Sequence, residues 1–73
     1  MAGFIEFTDG NFIEFHIGET PRRRCFIEDI VSVRLDGDEL DYIPRNFNNI
    51  PYNLKQKVQV WRGDMAKFII ENW

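Results

Sequence analysis

Apolar and polar positions alternate through Phe4-Ile5-Glu6-Phe7 and again, letter for letter, through Phe12-Ile13-Glu14-Phe15. Period-two alternation of aromatic and β-branched residues is the pattern of a strand with one face turned to a core. Between the two runs lies Thr8-Asp9-Gly10-Asn11, a turn signal, so the segment 4–16 is predicted to be a β-hairpin. Loop parity decides which side chains share a face. A two-residue Asp9-Gly10 turn would set Ile5 opposite Glu14 and Glu6 opposite Ile13. A three-residue loop, either Thr8-Asp9-Gly10 or Asp9-Gly10-Asn11, instead gathers Ile5, Phe7, Ile13 and Phe15 on one face. Such loops usually end in a left-handed residue, which Gly10 or Asn11 adopts at low cost. The odd loop is therefore predicted, leaving Phe4, Glu6, Phe12, Glu14 and His16 on the opposite face.

Gly18-Glu19-Thr20-Pro21 reads as a loop. Strands are expected over 24–43, with a corner at Glu28-Asp29 because consecutive acids are poor strand residues. The run Ile27-Glu28-Asp29-Ile30-Val31-Ser32-Val33 resembles a pattern in small bacterial and phage β-meander proteins, and implies no particular functional residue. Asp36-Gly37-Asp38 reads as a second hairpin turn. A two-residue turn there, Asp36-Gly37 or Gly37-Asp38, would align Val31, Val33, Leu35, Leu40 and Tyr42 on one face, and the first would set Arg34 opposite Glu39. Residues 44–56, with two prolines and four asparagines, are expected to form a loop packed by Phe47, Ile50, Tyr52 and Leu54. A strand at 57–62 should turn Val58 and Val60 inward and Trp61 outward. Helix 64–73 should start on Asp64 as N-cap and dock through Met65, Phe68, Ile69 and Trp73. The expected fold is α+β: a small antiparallel sheet, or a partly open barrel, of about five strands with one C-terminal helix packed on it.

Length bounds this picture. A single domain, 1–73, is expected from 73 residues, and a chain of that size buries only about 60% of its unfolded surface. Cys25 is the single cysteine, which excludes a disulfide within the chain and agrees with a reducing compartment. His16 and Cys25 are the only soft ligands, so neither a metal nor a cofactor is expected. Seven Phe, two Tyr and two Trp remain as the means of stabilising so small a core. The net charge of −3 disfavours nucleic-acid binding by bulk charge. Glu6 and Asp9 interrupt any signal-peptide core, and no apolar run approaches the roughly 18 residues that span a bilayer. A cytoplasmic protein without membrane contact is expected.

Candidate chemistry is sparse. His16 with Cys25 is the one conceivable nucleophile–base couple, and no third orienting group accompanies it. The carboxylates fall in turns and solvated faces where tuning is difficult. The chain is therefore expected not to be an enzyme. Asp36, Asp38, Glu39 and Asp41 lack calcium-loop spacing and read as a solvated acidic tip. Arg22-Arg23-Arg24 could contact nucleic acid, although a strand would split the three between two faces. Exposed aromatics ringed by charges are the composition of a contact surface. The expected function is a small protein-binding module, by analogy a phage or mobile-element inhibitor or adaptor acting on a host complex. Its partner contacts would be Phe4, Glu6, Phe12 and Glu14, with Asp36, Asp38, Glu39 and Asp41 second. The alternatives are a nucleic-acid-binding barrel using Arg22, Arg23 and Arg24 with Phe26 or Tyr52 as stacking groups, or a structural homo-oligomer.

Overall fold

The computed structural model describes residues 2–43 and 57–73. Strands β1 (Gly3–Phe7), β2 (Phe12–Phe15), β3 (Ile30–Asp36) and β4 (Val58–Arg62) form one sheet in the order β2-β1-β3-β4. Every neighbouring pair is antiparallel. Helix α1 (Asp64–Glu71) lies on one face of the sheet. This is an α+β fold of four strands; neither a fifth strand nor barrel closure occurs among the described residues. The predicted loop 44–56 lies outside them.

The first hairpin has the odd loop. Ile5 pairs with Ile13 and Glu6 with Phe12, so Thr8-Asp9-Gly10 is the connection. Phe7 N–H donates to Asn11 O at 2.8 Å and Gly10 N–H to Phe7 O at 2.9 Å. Gly10 takes φ 86° at the loop's end, the left-handed residue such loops require. Asp9 Oδ1 accepts the Asn11 N–H at 2.9 Å, which locks the turn from the side. At the other end Gly3 pairs with Phe15. The Phe15 ring lies so close over Gly3 that a Cβ there would overlap it. Phe15 is thereby fully buried beside Ile5, Val33 and Leu35.

From β2, which ends beside Gly3, the chain returns to the Phe7 end of β1 through two 3-10 turns, Pro21–Arg23 and Ile27–Asp29. The expected strand start is thus not a strand: residues 24–26 join the two turns and Ile27 opens the second, while the acidic corner is real. Thr8 N–H donates to Asp29 O at 3.0 Å and ties this return to the first hairpin. β3 then pairs with β1 with a bulge: Glu6 faces Ser32 but Phe7 faces Ile30. The extra residue, Val31, puts Ile30 and Val33 on the same side of the sheet, and both enter the core.

The predicted hairpin at 36–38 does not form. Gly37–Tyr42 is a 3-10 helix that leaves the sheet. The reason is that both edges of β3 are taken, by β1 and by β4, and Gly37 N–H donates to Lys57 O at 2.7 Å. Leu40 still reaches the core, from the 3-10 helix, whereas Tyr42 is exposed on one side. Arg34 consequently faces Phe4 and Val60 rather than Glu39.

β4 is turned over relative to expectation. Gln59 and Trp61 face the core, while Val58 and Val60 are exposed. Pairing of Trp61 with Val33 sets this register, and it brings a large aromatic ring into the core. Asp64 is the first helical residue rather than the cap. Gly63 occupies the N-cap position with φ 61° and ψ −135°, and no side chain caps the helix. Ala66, Ile69 and Ile70 are the buried residues of α1, with Met65 packed beside them and Phe68 turned outward. Trp73 sets its edge on Phe15 (centroids 5.0 Å, 83°) and stacks on Tyr42 at 6.0 Å.

Candidate functional site

Because α1 covers one face only, the alternation of the four strands delivers the other set of side chains to an open face. The register fixes their layout. One row runs Glu14, Phe4, Arg34, Val60, and the next runs Phe12, Glu6, Ser32, Arg62. Asp36 and Val58 begin a third. Phe12 is 67% exposed and Val60 48%, with Val58 at 40%. Phe4, Glu6, Phe12, Ser32 and Arg34 line a shallow concavity at its centre.

Polar contacts stitch the floor of this concavity. Ser32 Oγ donates to Glu6 Oε1 at 3.3 Å. Arg34 Nε donates to Asp36 Oδ1 at 2.9 Å, and its guanidinium lies 5.9 Å from the centre of the Phe4 ring. His16 Nε2 lies 3.1 Å from Glu14 Oε1 at the rim. An apolar patch with both charge signs held among its aromatics can receive a protein surface, since such pairs steer docking and exclude mismatched partners.

Four sequence-predicted contacts, Phe4, Glu6, Phe12 and Glu14, are brought together on this face. The acidic tip is not one surface. Asp36 belongs to the open face, Asp38 and Asp41 are exposed on the 3-10 helix, and Glu39 is 1% exposed. Glu39 therefore leaves the set of contact residues. Its Oε1 accepts the Ile17 N–H at 2.7 Å, while Oε2 is buried without a partner. Burial pushes the Glu39 carboxyl above the usual carboxylate range, against the Ile17 hydrogen bond and the nearby His16, which pull it down.

The arginine run sits in a 3-10 turn and is largely committed. Arg22 donates to Glu71 O at 3.1 Å and so fastens the end of α1. Arg24 donates to Glu14 O at 3.1 Å and pairs with Glu19 at 3.2 Å. Phe26 is exposed nearby, and Tyr52, its suggested stacking companion, lies outside the described residues. Cys25 donates to Pro21 O at 3.4 Å, and burial pushes its thiol up, away from the reactive thiolate.

Sequence reasoning missed the second half of the open face: Ser32, Arg34, Val58, Val60 and Arg62. The alternation of β4 was the available signal, and the pairing partner needed to choose its phase lies 26 residues earlier, at Arg34–Val60. No known protein family, curated protein or solved structure matches the chain.

Proposed function

We propose that this chain is a small, non-enzymatic protein-binding module that docks a partner protein on the open face of its sheet. The observation that carries the reading is the one-sided cover. α1 buries one face, and the other keeps Phe12 67% exposed amid Phe4, Val58 and Val60. An exposed apolar patch rimmed by polar groups is costly in water and is retained where a partner removes it. The partner complementary to it presents apolar side chains at its centre and charges of both signs around them. Small size and a mild net charge of −3 fit an inhibitor or adaptor of phage or mobile-element type, working in the cytoplasm on a host complex; this last step rests on analogy.

The test is crosslinking capture with the double variant Phe12→Ser/Val60→Ser beside a control, Asp38→Lys/Asp41→Lys. Both substitute exposed positions, so folding should survive, as circular dichroism would verify. The face variant should lose partner capture by about tenfold or more, as truncation of central anchors does, while the control keeps it. Equal capture by the face variant, or loss confined to the control, would overturn the reading.

A further inference from the structure

The open face is divided into two chemically different halves. β1 and β2 contribute Phe4, Glu6, Phe12 and Glu14; β3 and β4 contribute Ser32, Arg34, Val58, Val60 and Arg62. Acids and aromatic rings lie on one side of the midline, arginines and aliphatic side chains on the other. Asp36 is the one acid on the second side, and it is engaged by Arg34 of the same strand. A surface so divided is complementary to itself, which is what an isologous dimer requires.

We propose that, when no other protein is bound, a second copy of this chain closes the open face, sheet against sheet, about a two-fold axis parallel to the strands. The inference rests on the reading of this face as the docking surface, and it names what regulates access to it. Charge selects the axis. Rotation about the strand direction lays β2 over the second copy's β4, and β1 over its β3. Each acidic, aromatic half then meets an arginine-bearing half, with the guanidinium of Arg62 available to the ring of Phe12. A two-fold axis perpendicular to the strands would lay each strand over its own counterpart, the acidic half on the acidic half and the arginine-bearing half on its like.

Size sets the strength of this closure. Four strands spaced about 4.8 Å apart, with about five residues each, give a footprint of roughly 19 by 17 Å. Two such faces cover roughly 650 Å² together, well below the about 1,200 Å² at which standard interfaces begin. The dimer is therefore weak and concentration-dependent, and a better-fitted partner displaces the second copy.

The experiment is sedimentation equilibrium of the full chain over a wide concentration range, at low and moderate salt, with two charge-reversed variants. Glu6→Lys/Glu14→Lys makes both halves basic; Arg34→Glu/Arg62→Glu makes both acidic. Each alone should be monomeric, and their equimolar mixture should restore the dimer, because every half then faces its opposite. Glu6→Gln/Glu14→Gln, with unchanged thermal unfolding, should weaken the wild-type dimer about tenfold. A wild-type chain monomeric throughout, reversed variants that still self-associate, or a mixture that stays monomeric would overturn the proposal. The two readings fail separately. A monomeric wild type whose partner capture is still abolished by Phe12→Ser/Val60→Ser refutes the dimer alone. A dimer whose partner capture ignores those substitutions refutes the docking function alone.

Discussion

Glu39 carries one oxygen bonded to the Ile17 amide and the other buried with no partner. Burial favours its neutral form, so its folded-state pKa is raised above the unfolded value. The sign follows from linkage: the folded state holds the proton more tightly, so its advantage is full below the ordinary glutamate range and is lost as pH rises through the raised pKa. Glu39→Gln keeps an acceptor for the Ile17 N–H and removes the charge. Urea denaturation from pH 4 to 8 should show wild-type stability falling with rising pH, and a flatter profile for the variant. At pH 7 the variant should be more stable by about 1 kcal/mol, the scale of relieving a poorly solvated polar group. A variant with the wild-type slope would show that Glu39 is not the titrating group. Nothing in the sequence distinguished this acid from Asp38 and Asp41 on either side. Its burial comes from the contact with Ile17, 22 residues earlier.

At the scale of elements, local signals were legible and pairings at long range were not. The first hairpin could be read to its odd loop and to the side chains that share each face, because loop parity and the apolar pattern lie within twelve residues. The choice of Thr8-Asp9-Gly10 between the two three-residue loops came from the pairing itself. The Asp36-Gly37-Asp38 signal did mark a change of direction at Gly37. It was read as a hairpin because the competitor for the β3 edge, β4, lies beyond residue 56. Val58-Gln59-Val60-Trp61 supports two opposite phases, and only the neighbour strand decides between them. For the same reason half of the open face was readable and half was not.

The helix start shows how an element can depend on backbone alone. Gly63 at φ 61°, ψ −135° is in a region that side chains disfavour, although a Cβ would meet no atom within 4 Å. Its N–H also donates to Val31 O at 2.9 Å, which fixes the approach of α1 to β3. Gly63→Ala should therefore lower stability by about 1–3 kcal/mol through backbone strain alone. Asp64→Ala, whose side chain makes no cap bond, should cost less than about 1 kcal/mol. Equal losses for the two in urea denaturation would refute the assignment of strain to Gly63.

Across the whole molecule, the eight residues of α1 are too few to hold a helix unaided. Their docking depends on Ala66, Ile69 and Ile70 beneath and on Trp73 at the end. Trp73 joins three elements, since its ring meets Phe15 of β2 and stacks on Tyr42 of the 3-10 helix. Trp73→Ala should cost about 2–3 kcal/mol, at the lower end for large aromatics because the residue is only partly buried. Thermal unfolding followed at helix and tryptophan wavelengths should shift to lower temperature as one transition. A helix signal lost ahead of the sheet would show that α1 docks independently of this aromatic group.

The twin tetrapeptides of β1 and β2 have one more consequence. In the observed register Phe4 opposes Glu14, Ile5 opposes Ile13, and Glu6 opposes Phe12. Exchanging the two strands reproduces the same three pairs, so the ladder carries a local two-fold symmetry about Ile5 and Ile13. A strand of this sequence finds equivalent cross-strand neighbours in either tetrapeptide, its own or that of another molecule. These three pairs alone thus hold no information about which strand belongs to which chain. That information resides in Thr8-Asp9-Gly10, whose short closed loop and Asp9–Asn11 clasp make the nearest strand the cheapest one to recruit.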